Sequence, residues 1–253
     1  MPNLRGIIFD LDNTLAEAFH PPEPSMLERL ARVIEKLPTA IMSAASFARL
    51  EKDVLPNFPA NVDFSRLTLF CANAAHCFRL ESGGWHAVYK FGFTPEEHDI
   101  IKRALFESVA EAGLDTSAQK YGEQFVDYDG YIAYTALGLG APSAERKAWD
   151  PDASKRLRLR TILQQKLPQF DVYIGGATSV DVTPKGINKS YGVEQYAKQL
   201  NCTPSELLYI GDALYEGGND AVVVQTGVQT RRVSGPEETA RVIDELFLHR
   251  MSG

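Results

Sequence analysis

The chain has few cysteines, no long apolar run and no excess of basic residues, and each shortage excludes a class of protein. Its three cysteines, Cys71, Cys77 and Cys202, cannot all pair internally, which favours reduced thiols. No segment approaches the ~20 apolar residues that a membrane-spanning helix needs. Arg5 precedes a short strand-like run with acidic residues, unlike a signal peptide. We therefore expect a cytoplasmic protein that does not bind a membrane.

Charge and composition narrow the choice of partner. The net charge of −7 gives no general attraction to nucleic acid or to an anionic membrane surface. The 253 residues are 44% hydrophobic and 23% charged, which is typical of a soluble globular protein. This length suffices for one core plus a second domain. A phosphorylated small molecule would need locally placed cations rather than a basic surface.

Short apolar runs alternate with helical patterns near the start of the chain. Residues 6–10, 39–42 and 67–71 have the composition of buried strands, and apolar residues recur at helical spacing over 26–37. Ser46 is a candidate N-cap for a helix from Phe47 towards Leu55. This order predicts an α/β fold whose core is a Rossmann-like, doubly wound parallel sheet.

The pattern changes from Gly92 onward. Thr94 to Glu97 form a capping box with proline at the first helical position. A helix over 150–163 and strands over 131–134, 170–174 and 179–182 then indicate an inserted α+β layer. The alternation returns with a helix over 188–200, strands over 207–210 and 228–233, and a closing helix from Pro236 to about His249. We expect an α/β core formed by residues 1–91 and 187–253, with a cap domain over 92–186.

The stretch from Gly6 to Leu15 holds the strongest chemical signal. Its apolar run ends in Asp10 and Asp12, with Thr14 two positions further on. In open α/β sheets ligands bind beyond the carboxyl ends of the strands. Residues two apart in extended chain point the same way, so both carboxylates could face one ligand. The plainer alternative is a strand that runs into an Asp/Asn-rich turn.

Three further loops carry polar residues of the same kind. Ser43 follows the second strand, with Ser46 nearby as a helix cap or as an alternative phosphate contact. Lys189 lies near a predicted helix start, with Lys185 as the competing cation. Gly211-Asp212 ends a strand, and Gly217-Gly218-Asn219-Asp220 follows a few residues later. Close backbone approach to a metal suits these glycines, although a turn would also explain them.

In type and order, these four motifs resemble those of the haloacid dehalogenase superfamily of phosphotransferases. The large insertion is similar to the cap of the class that contains sugar phosphatases and eukaryotic-type phosphomannomutases. The six-residue spacer between Gly211-Asp212 and Asn219-Asp220 is similar to that of the phosphomannomutases. The stretches Ser179 to Val182 and Pro236 to Thr239 also resemble that subgroup.

The resemblance implies a role for each motif. Asp10 would attack phosphorus to form an aspartyl phosphate, and Asp12 would protonate the leaving oxygen and then deprotonate the attacking water. A Mg²⁺ site would be formed by Asp10, the Asp12 carbonyl, Asp212, Asn219 and Asp220. Contacts to phosphate would come from Thr14, Ser43 and Lys189. Contacts to the rest of the substrate would come from Arg146, Ser179 and Asp181.

A charge count over these residues leads to two expectations. A phosphate dianion beside ionised Asp10, Asp212 and Asp220 brings more negative charge than Mg²⁺ and Lys189 together offset. Asp12 should therefore be driven towards its protonated form, as an acid catalyst requires. Without the metal the site would repel its substrate, so we expect Mg²⁺ to be required.

Two cap positions separate a hydrolase from a mutase. In phosphomannomutases, cap arginines hold the distal phosphate of a bisphosphorylated sugar, and alignment places Tyr128 and Leu139 where two of them are expected. A phenol and an aliphatic side chain cannot replace guanidinium groups on a dianion. We therefore expect a phosphatase, with a phosphomannomutase-like isomerase as the alternative.

A third hypothesis is a non-catalytic protein that binds phosphosugars. The joint presence of a nucleophile and a proton-transfer group, Asp10 and Asp12, argues against it. The expected partner is a small phosphorylated metabolite of the sugar phosphate type. The sequence does not identify which one, and it leaves a homodimer open because cap-mediated dimers occur in relatives.

Overall fold

The computed structural model describes residues 4–114, 121–215 and 217–248. Its larger sheet has seven strands. They are β1 (Gly6–Asp10), β2 (Thr39–Met42), β3 (Leu67–Cys71), β4 (His76–Glu81), β5 (Gly84–Lys90), β10 (Leu207–Gly211) and β11 (Gln229–Arg232). Each of β1, β2, β3 and β10 is buried along its whole length, as expected of strands covered on both faces.

The strand order of this sheet places a switch point beside β1. The order is β11-β10-β1-β2-β3-β4-β5, with parallel pairing from β11 to β3. The hairpin of β4 and β5 continues the sheet antiparallel to β3. The chain leaves β1 towards β2 and returns on the other side at β10, so a crevice opens at the carboxyl ends of these strands.

Helices cover both faces of the larger sheet. On one face α1 (Pro24–Lys36), α2 (Phe47–Asp53) and α7 (Pro236–Ile243) contribute to a core that contains Ile7, Phe9 and Ile41. On the other face α6 (Lys189–Gln199) packs its Val193 and Tyr196 against Ile8 and Met42. Alternate residues of one strand thus enter opposite cores. The predicted doubly wound α/β fold is confirmed.

The second sheet comes entirely from chain between β5 and α6. It has four antiparallel strands in the order β6-β7-β9-β8, namely β6 (Phe125–Asp127), β7 (Ile132–Thr135), β8 (Phe170–Ile174) and β9 (Ser179–Pro184). Its core is closed by α3 (Pro95–Glu111) and α5 (Ser154–Lys166). An α+β layer therefore interrupts the α/β sheet, while the division at residues 92 and 186 stays a prediction.

The structure differs from the prediction in the helices near Asp150. The predicted helix over 150–163 corresponds to α5, which begins later, at Ser154, and a helix that was not predicted, α4 (Ser143–Trp149), precedes it. Asp150 leaves the helical conformation, and its carboxylate accepts from the backbone N–H groups of Lys155 and Arg156. Asp150 thus satisfies the unpaired donors at the start of α5. Periodicity alone does not detect this cap.

The remaining helices agree with the predicted positions at one end or both. The capping box of Thr94 and Glu97 is present at the start of α3. Helix α7 ends at Ile243 and a π-helical turn follows over Asp244–Leu248, whereas the predicted end at His249 lies outside the described residues. In the described part of the chain, no helix combines the length and the apolar character needed to cross a membrane.

Candidate active site

Three charged side chains from distant parts of the chain meet at the carboxyl end of β1. The ammonium group of Lys189 donates to Asp10 Oδ1 and to Asp220 Oδ1, each over 2.6 Å. Lys189 and Asp220 are both 0% exposed, and Asp10 is almost fully buried. A buried lysine between two carboxylates is costly to assemble unless the charges compensate each other. The three side chains therefore form one electrostatic unit.

The start of α6 holds Lys189 in this position. The Asn188 side chain caps the helix by accepting from the backbone N–H groups of Ser190 and Tyr191. Lys185, the competing cation, pairs instead with Asp171, and its side chain is 63% exposed. The structure thus brings Lys189, and not Lys185, to the carboxylates.

Asp220 is held by one group on β10 and by one that follows this strand. The Tyr209 hydroxyl donates to its Oδ1 over 2.6 Å, and the backbone N–H of Ala213 donates to its Oδ2 over 3.1 Å. A Cβ on Gly211 would lie 2.4 Å from Asp220 Oδ2, and a Cβ on Gly218 would lie 2.0 Å from the Ala213 carbonyl. Glycine is required at both positions. A side chain at position 211 would displace the Asp220 carboxylate, and one at position 218 would clash with the backbone of Ala213.

Acidic oxygens converge in a way that suits a small divalent cation. Asp10, Asp212 and Asp220 each offer a carboxylate oxygen, and these oxygens all lie within 4.8 Å of one another. Carboxylate oxygens are the ligands that Mg²⁺ prefers. Asn219 lines the cavity that Asp10 and Asp212 also line, and its role as a metal ligand stays a prediction. Asp12 is outside this cluster of side chains, so only its main-chain carbonyl, as predicted, would take part.

The pKa values report a deficit of positive charge in the cluster. Burial, with the charges of Asp220 and Asp212, raises the pKa of Asp10 well above its usual range although Lys189 opposes this. Burial and the charge of Asp220 raise the pKa of Asp212 to about 6. Burial would lower the pKa of Lys189, but Asp10 and Asp220 outweigh it and raise that pKa. A bound divalent cation would relieve this imbalance, so the donor set fits the group.

The predicted hydroxyl groups lie in different settings. Thr14 is fully buried and its hydroxyl donates to Asp10 Oδ2 over 3.2 Å. Ser43 lines the cavity beside Asp10, because its neighbour Met42 pairs with Asp10 across the β1–β2 ladder. The Ser43 hydroxyl accepts from the Ala45 N–H. Ser46 caps α2 by accepting from the Arg49 N–H, as predicted.

A cavity of about 1010 Å³ separates the carboxyl edge of the larger sheet from the smaller sheet. Residues of the larger sheet's loops that line it include Asp10, Asp12, Ser43, Asp212 and Asn219. Residues of the insertion that line it include Tyr128, Leu139, Arg146, Ser179 and Asp181. The structure thus brings the predicted residues of both layers to one cavity, while Thr14, Lys189 and Asp220 lie buried behind its wall.

Asp12 has a partner that the sequence reasoning missed. The Arg49 guanidinium donates from Nη2 to Asp12 Oδ1 over 2.8 Å and from Nη1 to Oδ2 over 2.9 Å. The charge count omitted this cation, and the expected protonation of Asp12 stays a prediction. One signal in the sequence could have indicated Arg49. It lies in the first turn of α2, a helix that begins just after the core strand β2.

Two aromatic residues near the site were also missed. The Phe19 ring lies 4.0 Å from the Arg146 guanidinium carbon, and its backbone N–H donates to Asp12 Oδ1. Tyr209, on β10, fixes Asp220 through its hydroxyl. A tyrosine inside an otherwise apolar strand could have indicated a buried polar partner. No comparable signal marks Phe19, which lies in a loop.

The cap side of the cavity carries a buried carboxylate and a partly engaged guanidinium. Asp181 is 1% exposed, and its Oδ1 has no hydrogen-bond partner among the described residues. Arg146 donates to the main-chain carbonyls of Ala141 and Leu139, so part of its capacity serves the cap itself. Asp181 Oδ1 is therefore an available acceptor for a hydroxyl or amine group in the cavity.

Asp181 also gives a testable dependence of stability on pH. Burial raises its pKa from 3.8 to about 7, although the Tyr131 hydroxyl and the charge of Lys189 oppose this. The folded state then binds this proton more tightly, so the stabilisation is complete below pH 4 and lost as the pH rises towards 7. The loss is on the order of 2–4 kcal/mol in unfolding free energy.

We expect the unfolding free energy of an Asp181→Asn variant, relative to that of the wild type, to be higher at pH 8 than at pH 5. Urea unfolding of both proteins at the two pH values measures this. An unchanged difference between them at pH 5 and pH 8 would contradict the raised pKa.

Comparison with known proteins agrees with the arrangement of the motifs. The family described as eukaryotic phosphomannomutase matches residues 110–249, more than half of the chain. The phosphomannomutase of Spinacia oleracea is 23% identical, with 95% of each chain covered. That of Saccharomyces cerevisiae is 25% identical, covering 95% of this chain and 93% of the yeast protein.

Solved structures share the fold at lower identity. The IMP-nucleotidase of Plasmodium falciparum aligns with a TM-score of 0.70 at 16% identity, covering 98% of this chain and 70% of that one. A haloacid dehalogenase-like hydrolase from Bacteroides thetaiotaomicron aligns with a TM-score of 0.63 at 15% identity, covering 96% and 99%. The ordered motifs, the fold and the family match lead to one assignment. The chain belongs to the eukaryotic phosphomannomutase family, within the haloacid dehalogenase superfamily.

Proposed function

We propose that this protein is a Mg²⁺-dependent phosphatase that hydrolyses a phosphorylated sugar or a similar small metabolite through an aspartyl phosphate. The observation that carries this proposal is the buried unit of Asp10, Lys189 and Asp220, with Asp212 beside it, at the end of β1. Such a unit offers a nucleophilic carboxylate, a fixed cation and oxygen ligands for a metal at one edge of the cavity.

The chemistry follows from the residues in two steps. An Asp10 oxygen bonds to phosphorus as the ester P–O bond breaks, and Asp12 gives a proton to the departing oxygen. A water oxygen then bonds to phosphorus and loses its proton to Asp12, which frees phosphate and restores Asp10. Lys189 fixes Asp10 and offsets its charge throughout. Mg²⁺ held by Asp10, the Asp12 carbonyl, Asp212, Asn219 and Asp220 would neutralise charge on the phosphoryl group.

Hydrolysis is favoured over isomerisation by the neutral cap positions. Tyr128 and Leu139 both line the cavity, where the family resemblance leads one to expect arginines. A mutase must hold a second phosphate while its intermediate reorients, and these side chains cannot supply that charge. Ser179 and Asp181 would bind hydroxyl groups of the substrate. We further propose that residues 92–186 act as the cap that closes over it.

Isomerisation is the second candidate because the family match favours it. Arg146, Lys147 and Arg160 also line the cavity and could hold a second phosphate. The test measures phosphate release from a panel of sugar phosphates with Mg²⁺. It also measures interconversion of the glucose and mannose phosphates with and without a sugar bisphosphate.

The panel has three informative outcomes. Release that disappears in an Asp10→Asn variant supports the phosphatase. Interconversion without net release supports the mutase and contradicts the role given to Tyr128 and Leu139. Tight binding with neither activity supports the non-catalytic binder instead.

Removal of the metal gives a separate prediction. The cluster of Asp10, Asp212 and Asp220 repels a phosphate dianion, so turnover with excess chelator should fall by ~10³-fold or more. Added Mg²⁺ should restore it, whereas Ca²⁺, with its longer bonds and higher coordination number, should restore little. The measurement is phosphate release after dialysis against chelator. Undiminished turnover of metal-free protein would contradict the proposed metal role.

A further inference from the structure

Three hydrogen-bond donors hold the Asp12 carboxylate, and none of them comes from Lys189. Arg49 reaches both of its oxygens, and the Phe19 N–H adds a third hydrogen bond of 2.7 Å to Oδ1. Oδ1 therefore accepts from two donors and Oδ2 from one. The arrangement fixes the plane of the carboxylate and leaves Oδ2 with more free acceptor capacity.

Arg49 is itself held in place. It lies in the first turn of α2, which Ser46 caps, and its side chain is only 15% exposed. The Phe19 ring lies 5.3 Å from its guanidinium carbon, and both terminal nitrogens donate to Asp12. A guanidinium so engaged has few donors left for a substrate. Its geometry suits orienting Asp12 better than gripping an anion.

We propose that Arg49 is a positioning residue for Asp12, presenting Oδ2 as the atom that gives and takes the proton. This inference rests on the proposed function, in which Asp12 handles the proton in both steps. Misplacing a proton donor by about 1 Å can cost on the order of 10²-fold in rate. The two parallel hydrogen bonds from the Arg49 guanidinium fix the position of the Asp12 carboxylate. A single ammonium group cannot do this.

The test compares esters whose leaving groups need a proton to different degrees. The constant kcat/KM reports the steps up to departure of the leaving group, where a sugar needs a proton and p-nitrophenolate does not. For Arg49→Ala we expect kcat/KM to fall about 10- to 100-fold on glucose 6-phosphate or mannose 1-phosphate, whichever is faster. On p-nitrophenyl phosphate the fall should stay below about threefold. Arg49→Lys keeps the charge without the fork and should lie between wild type and Arg49→Ala.

A double-variant cycle with Asp12→Asn shows whether Arg49 acts through Asp12. If it does, Arg49→Ala should add no further loss on the sugar phosphate once Asp12 is replaced. Arg29→Ala is the matched control, because Arg29 pairs with both oxygens of Asp244 away from the cavity. It should leave kcat/KM unchanged, and thermal unfolding of all variants checks that they fold.

Three results would overturn the positioning role in a wild type that releases phosphate. They are equal losses on both esters, additive losses in the double variant, and a raised KM with unchanged kcat, which would make Arg49 a substrate contact. If Arg49→Ala does not fold, the same comparisons on Arg49→Lys decide the matter. A wild type without turnover on any ester would overturn the proposed function and this inference together. Turnover that requires Asp10 supports the function whatever Arg49 does.

Discussion

An Asp10→Asn variant should lose phosphate release by about 10⁴-fold or more, because an amide cannot serve as the attacking nucleophile. The substitution also removes one of the three converging carboxylates that suit a divalent cation. The side chains are nearly the same size, so the buried site keeps its packing. The measurement is phosphate release from the best sugar phosphate at saturating Mg²⁺.

The unfolding free energy of Asp10→Asn should equal that of the wild type or exceed it, although its turnover falls. Because burial and two neighbouring carboxylates raise the pKa of Asp10, its charge is unfavourable in the folded state without metal. Asp10→Asn should therefore unfold at the same urea concentration as the wild type or a higher one when chelator is present.

An Asp99→Asn variant is the control, since Asp99 is exposed on α3. It should keep wild-type turnover and wild-type stability. Substantial turnover by Asp10→Asn would exclude an aspartyl phosphate at this position and would contradict the proposed mechanism.

Replacement of Lys189 by methionine should have the largest effect on stability. It leaves Asp10 and Asp220 buried together without their shared cation, and breaking a buried ion pair in this way costs roughly 3–5 kcal/mol. The loss should appear at neutral pH with chelator present. Added Mg²⁺ should recover part of it, because a cation that binds only the folded state stabilises that state. Urea unfolding with and without Mg²⁺ measures both effects.

Lys185→Met is the matched control for this prediction. Lys185 lies four residues earlier and pairs with Asp171 at the surface, where such a pair contributes at most about 1 kcal/mol. The two variants remove the same charge from the chain. Equal unfolding free energies for Lys189→Met and Lys185→Met would show that the buried unit contributes nothing to stability.

Local signals in the sequence located most of the elements. The apolar runs of β1, β2 and β3, the cap at Ser46 and the capping box at Thr94 each depend on residues within one turn or one strand. Patterns of this range can be recognised without knowledge of the fold. Helix α4 was missed, and the start of α5 was placed at Asp150 rather than at Ser154, because Asp150 caps α5 in a conformation that periodicity does not reveal.

The order of the motifs also indicated which loops would share a site, since parallel strands end at one edge of a sheet. It did not indicate which atoms would meet. Lys189 and Asp10 are 179 positions apart, and Arg49 and Asp12 are 37 apart. Whether such side chains touch depends on strand register and on where each helix begins.

The sequence by itself thus determined the α/β core, the inserted layer and the candidate carboxylates at the end of β1. Only the tertiary structure decided that Lys189 rather than Lys185 reaches Asp10, and that Arg49 holds Asp12. The physical reason is the separation along the chain of the residues that interact. Strand patterns and helix caps form among neighbouring residues, whereas a buried ion pair forms only after the sheet and the helices that frame it have packed.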